Sequence, residues 1–114
     1  MKTMADVDEL IRIADGISRG DIPPYQHNEF FTAGAFDLLV TRENHEDAFR
    51  TLQVLCQRFD AVDDRTVTPT GYYYLLSVFA SHSKTTEMPD GMLEIIAKHP
   101  ALSEELRIWY RLPL

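Results

Sequence analysis

Residues 85–110 constrain the fold most, because their apolar side chains recur with the spacing of a helix face and a proline interrupts the pattern. Pro89 stands where a first helical turn accepts proline, and Pro100 breaks the pattern in a His-Pro turn. The apolar positions on the two sides of this break are Met92, Ile95, Ile96, Leu106, Trp109 and Tyr110. This stretch therefore predicts two helices, 89–98 and 103–111, that pack against each other as a hairpin.

Four further segments upstream carry the same helical periodicity. Thr3 and Asn44 are placed to cap the first and third segments, and Thr68 followed by Pro69 marks the start of the fourth. The predicted helices are 4–18, 29–40, 45–59 and 69–81, which together with the hairpin make about six.

Residues 67–80 are the one region where a strand is also credible, because they are rich in aromatic and β-branched side chains. The apolar positions Tyr72, Leu75, Leu76 and Phe79 follow the spacing of one helix face instead. Since this periodicity agrees with the Thr-Pro start signal, we predict a helix.

About six helices joined by mostly short loops predict an all-α fold in which neighbouring helices are antiparallel. A chain of 114 residues can bury a core without metals or disulfides, so one domain over residues 1–114 is expected. Two arrangements stay open: a compact bundle, or a short HEAT/armadillo-like helical stack in which no sequence period is visible.

The charge of the chain restricts its partners. Eleven Lys and Arg residues stand against 18 Asp and Glu residues, a net charge of −7, and most of the excess lies before residue 66. Such a surface repels nucleic acid phosphates and anionic lipids, and it favours a basic protein partner. Because no apolar run has the length of a membrane span or the form of a secretory signal, a cytoplasmic location is expected.

The sequence lacks the motifs on which metal binding, nucleotide binding and nucleophilic catalysis depend. The four histidines are scattered, the five glycines are dispersed, and Cys56, the only cysteine, falls on the apolar face of the third helix. We therefore expect no enzyme activity, no cofactor and no metal, and we place Cys56 in the core.

Two groups of carboxylates flank the third predicted helix. The first group is Glu43, Glu46 and Asp47, and the second is Asp60, Asp63 and Asp64. Such groups commonly serve solvation and the start of a helix, where the dipole favours negative charge. They are also suited to charge-assisted hydrogen bonds with Lys or Arg of a partner, so both interpretations stay open.

Three consecutive tyrosines cannot all face one core, because three successive helical residues span roughly 200°. Tyr72 is expected to pack, while Tyr73 and Tyr74 are expected to be exposed or half-exposed. At such a boundary they either rest with their hydroxyls in water or serve as anchors for a partner.

The pattern TTEMPDGMLEIIAKHPALSEELRIWY in a small acidic helical chain resembles the immunity proteins of bacterial contact-dependent growth inhibition and polymorphic-toxin systems. The resemblance covers mainly residues 72–110, and its most distinctive pieces are the Thr-Thr-Glu-Met-Pro turn and the His-Pro turn. It implies an antitoxin function, in which a monomer covers the active site or substrate groove of one cognate toxin domain, commonly a basic nuclease.

The candidate partner-binding residues follow from charge and expected exposure, because contacts of this kind differ from one pair of proteins to the next. They are Glu43, Glu46, Asp47, Asp60, Asp63, Asp64, Tyr73 and Tyr74. Since the chain after Arg65 is nearly balanced in charge, the C-terminal hairpin is expected to support an acidic surface made elsewhere.

The alternative function is a helical adaptor or scaffold that binds an amphipathic segment of a partner in a groove between helices. A contiguous exposed apolar groove would favour this alternative. A buried pocket containing a histidine and a carboxylate would instead favour a small-molecule site.

Overall fold

The computed structural model describes residues 7–18, 43–62 and 71–113 of the chain. These residues form five α-helices and two 3-10 turns, and no strand occurs among them. The helices are α1 (Val7–Ser18), α2 (His45–Gln57), α3 (Tyr72–Ser83), α4 (Met92–Lys98) and α5 (Glu104–Trp109), and the turns are Phe59–Ala61 and Pro100–Leu102. The all-α prediction is confirmed, and the Cα radius of gyration of 13.1 Å matches the ~13 Å of a compact domain of this length.

Helix α2 begins where the sequence predicts it, because Asn44 caps it. The Asn44 side chain accepts a hydrogen bond of 2.7 Å from the backbone N–H of Asp47, which satisfies one of the free donors of the first turn. The buried face of α2 consists of Asp47, Ala48, Thr51, Leu52, Leu55 and Cys56. This face packs on α3 in the most extensive contact between two described helices, and the core position of Cys56 is confirmed.

Helix α3 is the central helix of the core, because α1, α2 and α5 all pack on it. Its buried residues are Tyr72, Tyr73, Leu75, Leu76, Phe79, Ala80 and Ser83. The segment Tyr72–Ser83 contains no Asp, Glu, Lys or Arg, as expected of a helix that is covered on most of its circumference. The helix prediction is therefore confirmed for these residues, whereas Thr68 and Pro69 lie outside the described residues.

Tyr73 belongs to the core, so the expectation that it lies at an exposed boundary is wrong. Only 1% of the residue is exposed, and its hydroxyl donates a hydrogen bond of 2.7 Å to the carbonyl of Ile95. The Tyr72 hydroxyl likewise donates to the carbonyl of Leu55. Because each hydroxyl finds a carbonyl partner, both tyrosines can be buried side by side without a stranded polar group.

Helix α4 begins at Met92 rather than at the predicted Pro89. Gly91, the residue before the helix, has a φ of +88°, and a right-handed helix cannot continue through that conformation. Pro89 lies in the turn that precedes the helix, where its carbonyl accepts a bond of 3.1 Å from the Met92 N–H. The predicted break at Pro100 is confirmed, since a 3-10 turn begins there.

Helices α4 and α5 do not pack mainly against each other. The principal contact of α5 is with α3, and the indole N–H of Trp109 donates a bond of 3.2 Å to the Thr85 carbonyl in the segment after α3. The buried residues of this region, Met92, Ile95, Ile96, Leu106 and Tyr110, belong to the same core as those of α2 and α3. The predicted hairpin thus exists as two helices and a turn, but it packs on the common core.

Helix α1 confirms residues 7–18 of the first predicted helix. Among residues 7–16 of this helix, the buried ones are Val7, Leu10 and Ala14, which belong to the common core, and the helix packs on α2 and α3. An ion pair between Asp8 and Arg58 joins α1 to the end of α2 at the surface. The predicted helix 29–40 and residues 4–6 lie outside the described residues.

Candidate functional site

Six of the eight predicted partner-binding residues fall within the described ranges, and they occupy three environments. Glu46 and Asp60 are exposed, Glu43 and Tyr74 are half-buried, and Asp47 and Tyr73 are buried. Asp63 and Asp64 lie outside the described residues.

The two exposed carboxylates lie at opposite ends of α2. Glu46 belongs to the first turn of the helix, where the positive end of the helix dipole favours it, and Asp60 belongs to the 3-10 turn that follows the helix. Neither carboxylate forms an ion pair within residues 7–18, 43–62 and 71–113. Both charges therefore remain available to a cationic group from outside.

Asp47 is 6% exposed, so its expected place on an open acidic surface is wrong. Positions 47, 51 and 55 share one helix face, and Thr51 and Leu55 are completely buried. One carboxylate oxygen of Asp47 accepts a hydrogen bond from Arg50, and the other is buried without a partner among the described residues. Asp47 is thus a structural carboxylate at the start of α2.

Glu43 is held by an internal hydrogen bond. The hydroxyl of Thr51 lies 3.0 Å and 3.3 Å from the two carboxylate oxygens of Glu43 and donates to them. This bond fixes the chain just before the Asn44 cap against the body of α2. Binding a partner through Glu43 would compete with that bond.

A cleft of about 370 Å³ lies beside the start of α2, and we call it cleft A. Its described lining residues are His45, Glu46, Phe49, Arg50, Ser83, Thr85 and Glu87. The cleft brings the predicted Glu46 together with Glu87, an exposed carboxylate from the segment after α3. Arg50, which is paired with Asp47, gives this cleft a mixed charge.

A second cleft, of about 290 Å³, lies beyond the end of α2, and we call it cleft B. Its described lining residues are Cys56, Phe59, Asp60, Gly91, Glu94, Ile95 and Lys98. The cleft brings the predicted Asp60 together with Glu94 of α4, so it joins the end of α2 to the C-terminal region. Two carboxylates and one ammonium group line it, around the ring of Phe59.

Tyr74 lies in a third cleft, also of about 290 Å³, which we call cleft C. The described residues that line it are Tyr74, Ser77, Val78, Ser81, His82 and Glu105. Of the three tyrosines, Tyr74 alone is half-exposed, as the sequence predicted for it. It is therefore the most exposed tyrosine of this run.

Sequence reasoning missed three carboxylates of these clefts, Glu87, Glu94 and Glu105. All three come from the C-terminal third of the chain, so this region contributes carboxylates to the clefts as well as supporting them. A signal was present for Glu94, because the buried positions Met92, Ile95 and Ile96 leave it on the outer face of α4. The proximity of Glu94 to Asp60 depends on tertiary packing, and no local sequence pattern indicated it.

The Cys56 thiol and the metal-binding side chains are the reactive groups to consider. Burial raises the pKa of the Cys56 thiol to about 12, so the thiol stays protonated at neutral pH and is a poor nucleophile. No group of three or more His, Cys, Asp and Glu side chains with the arrangement of a metal site occurs within residues 7–18, 43–62 and 71–113. The chemistry that the clefts provide is the binding of cations by carboxylates.

Comparison of the chain with models of protein families, with curated proteins and with solved structures gave no match. No helix in the described part of the chain combines the length and the apolar character needed to cross a membrane.

Proposed function

We propose that the protein is a cytoplasmic immunity protein that binds a basic toxin domain, a nuclease by preference, and blocks its active site or substrate groove. The observation that carries the proposal is the pair of exposed carboxylates, Glu46 and Asp60, which have no ion-pair partner among the described residues. Each stands in a cleft with a second carboxylate from the C-terminal region.

The spacing of these charges fits one interface. Helix α2 rises about 17 Å from Glu46 to its end at Gln57, and Asp60 lies in the turn that follows, so the two carboxylates flank a helix of roughly that length. An interface of standard size buries about 800 Å² on each partner, which is wide enough to include both ends of the helix. A nuclease groove that normally holds phosphates presents Lys and Arg side chains over a comparable length.

The net charge of −7 supports the same partner class. Long-range attraction between an acidic protein and a basic groove raises the association rate, and this effect weakens as salt screens the charges. Discrimination among related toxins then comes from buried anchors and from mismatched charges. Tyr74 in cleft C is the tyrosine placed to serve as such an anchor.

Co-expression tests the proposal directly. The chain is produced together with the toxin domain encoded next to its gene, and growth is compared with that of cells that produce the toxin alone. Restored growth, together with a one-to-one complex on size-exclusion chromatography, is the expected result. Growth arrest that persists in the presence of the folded protein would contradict the proposal.

A helical adaptor is the second candidate function, and two exposed apolar side chains favour it. Leu93 of α4 is 55% exposed and Ile108 of α5 is 63% exposed, although neither lines cleft A, B or C. An adaptor that binds an amphipathic segment would lose affinity when Leu93 and Ile108 are changed to serine. An immunity protein that acts through its carboxylates would not.

A further inference from the structure

Cleft B already holds a cation. The ammonium nitrogen of Lys98 lies 5.4 Å from the centroid of the Phe59 ring, inside the ~6 Å over which a cation is attracted to an aromatic face. Lys98 is exposed, and it makes no ion pair with any described residue. The Phe59 ring therefore already forms a cation–π contact within the chain.

The two carboxylates of cleft B are not neutralised by this cation. Asp60 and Glu94 are both exposed, and neither is within 4.0 Å of a Lys or Arg nitrogen in the described part of the chain. Glu94 and Lys98 are four residues apart on α4, a spacing at which a Glu–Lys pair attracts. The Lys98 ammonium nevertheless lies over the ring, so two negative charges stand unpaired beside an aromatic face.

The rest of the described lining of cleft B carries no charge. It consists of Cys56 and Ile95, which are buried and apolar, and Gly91. The volume of about 290 Å³ lies just below the ~300–1,000 Å³ range of small-molecule sites. A space of this size accommodates a single long side chain.

We propose that cleft B receives one arginine side chain of a protein partner, and that Lys98 is a placeholder that this arginine displaces from the Phe59 ring. A guanidinium group is planar, stacks on aromatic faces and donates several hydrogen bonds to carboxylates at once. Its aliphatic stem is suited to contact with Cys56 and Ile95. This inference deepens the proposed function, on which it rests for the basic character of the partner.

Displacement of Lys98 is physically straightforward. Its side chain is flexible and exposed, so the ammonium group regains water as soon as it leaves the ring. The arginine that replaces it meets two carboxylates that the lysine leaves unpaired. After the exchange, the carboxylates of cleft B are hydrogen-bonded to a cation, which Lys98 did not provide.

The test uses the full chain and ethylguanidinium as the probe, so it does not depend on any toxin. Ethylguanidinium is titrated at constant ionic strength while NMR follows the Gly91 amide and the δ1 methyl group of Ile95, which both belong to the lining of cleft B. Saturable shifts at these two groups, at lower concentrations than with ethylammonium, are expected. Shifts that grow linearly, or that are equally large over the whole surface, would overturn the proposal.

Charge-matched variants locate the binding. Changing Asp60→Asn together with Glu94→Gln is expected to weaken ethylguanidinium binding at least tenfold. Asp90→Asn together with Glu104→Gln removes the same two charges at exposed positions that line none of the three clefts, and it is expected to change nothing. An Asp60→Asn, Glu94→Gln variant that binds the probe as the unmodified protein does would remove the site from cleft B.

The placeholder role of Lys98 has its own control. Lys98→Ala is expected to strengthen ethylguanidinium binding severalfold, because it frees the ring and removes a repelling charge. Lys84→Ala removes the same charge at an exposed position outside the clefts and is expected to have little effect. Unchanged or weaker binding by the Lys98→Ala protein would overturn the placeholder role.

The probe titration and the co-expression experiment fail separately. A protein that protects cells but does not bind ethylguanidinium would overturn the arginine receptor and keep the immunity function. A protein that binds ethylguanidinium in cleft B but does not protect cells would support the receptor and overturn the immunity function.

Discussion

The hydroxyl of Tyr73 donates a hydrogen bond to the backbone carbonyl of Ile95, 2.7 Å away, and so joins the start of α3 to α4. Tyr110 also has a buried hydroxyl, but that hydroxyl has no partner among the described residues. Tyr73 and Tyr110 therefore allow the effect of removing a buried hydroxyl on stability to be compared with and without a described hydrogen bond. The same oxygen atom can be removed from each, and a described hydrogen bond is lost in only one case.

Tyr73→Phe is therefore expected to lower the free energy of unfolding by about 1–2 kcal/mol, because the Ile95 carbonyl loses its buried hydroxyl partner. Tyr110→Phe is expected to be neutral or stabilising, since it removes a buried donor that has no hydrogen-bond partner in the described part of the chain. Urea unfolding followed by circular dichroism measures both. Equal losses in the two variants would contradict this account of the Tyr73 bond.

The Asn44 cap gives a second prediction. Asn44→Ala removes the side-chain acceptor for the Asp47 N–H and is expected to cost about 1 kcal/mol of stability. Asn44→Ser keeps an oxygen that can accept the same bond, so it is expected to recover most of that loss. The midpoints of urea unfolding for the three proteins decide the matter, and a serine variant as unstable as the alanine variant would count against capping as the cause.

The buried thiol of Cys56 makes the stability depend on pH. Burial raises the pKa of Cys56 from its ordinary value of 9.0 to about 12, so between these values the unfolded chain loses a proton that the folded chain keeps. The contribution of the protonated Cys56 thiol to the free energy of unfolding is fully present below pH 9, and it is lost as the pH rises toward 12. Between pH 9 and pH 10 the loss amounts to about 1 kcal/mol.

Cys56→Ala removes this contribution. Burial also raises the pKa of the tyrosines Tyr72, Tyr73 and Tyr110, so between pH 9 and pH 10 their combined loss of stability is comparable to that of the thiol, and only the difference between the two proteins isolates Cys56. Urea unfolding at pH 8, 9 and 10 is expected to show a smaller decrease for the variant than for the unmodified protein. Parallel decreases would show that Cys56 is not the titrating group.

The carboxylates of the clefts are expected to act together on a basic partner. Neutralising cleft A with Glu46→Gln and Glu87→Gln, or cleft B with Asp60→Asn and Glu94→Gln, should weaken the complex with the toxin at least tenfold. The affinity should also depend less steeply on salt, since fewer charges are brought together. Isothermal titration calorimetry at two salt concentrations measures both quantities.

A double variant with the same change in charge provides the control for the clefts. Asp90 and Glu104 are exposed and line none of the three clefts, so Asp90→Asn with Glu104→Gln should leave the affinity nearly unchanged. Since all of these residues are on the surface, the variants should unfold within about 0.5 kcal/mol of the unmodified protein. An equal loss of affinity in the control would mean that net charge, and not the clefts, governs binding.

Local signals predicted much of the helical structure. Asn44 is followed by acids in the first turn and then by a regular apolar stripe, and the structure has a capped helix there. Pro89 misled the prediction of the start of α4, because proline is accepted both in a first helical turn and in the turn before it. Gly91, with its left-handed backbone, decides between the two positions, and its sequence context did not reveal that role.

Tyr73 shows why a single helix face is a poor guide to a central helix. A projection of α3 identifies one apolar stripe, and Tyr73 lies beside it. Three helices pack on α3, and a carbonyl of α4 accepts the hydrogen bond of the Tyr73 hydroxyl. The buried part of the circumference of α3 is therefore much wider than its one apolar stripe. The absence of Asp, Glu, Lys and Arg from Tyr72 to Ser83 was the sequence signal for this arrangement.

The clefts could be predicted only in part, because each joins residues that are distant in the sequence. Glu46 and Asp60 follow from exposure at the ends of one helix, and local periodicity reveals them. Their partners Glu87 and Glu94 follow from how the C-terminal segments lie on α2 and α3. The prediction that Asp47 is exposed was wrong for a different reason. Asp47 belongs to an acidic group in the sequence, but it shares a helix face with the buried residues Thr51 and Leu55.

The central position of α3 has a consequence for the way the molecule opens. A helix covered by α1, α2 and α5 cannot expose its amides to solvent unless those neighbours separate from it. The backbone N–H groups of α3 should therefore be among the slowest in the molecule to exchange with deuterium, at a rate set by unfolding of the whole core. Resistance to proteolysis and the lifetime of the folded state would then depend on this one uncharged helix.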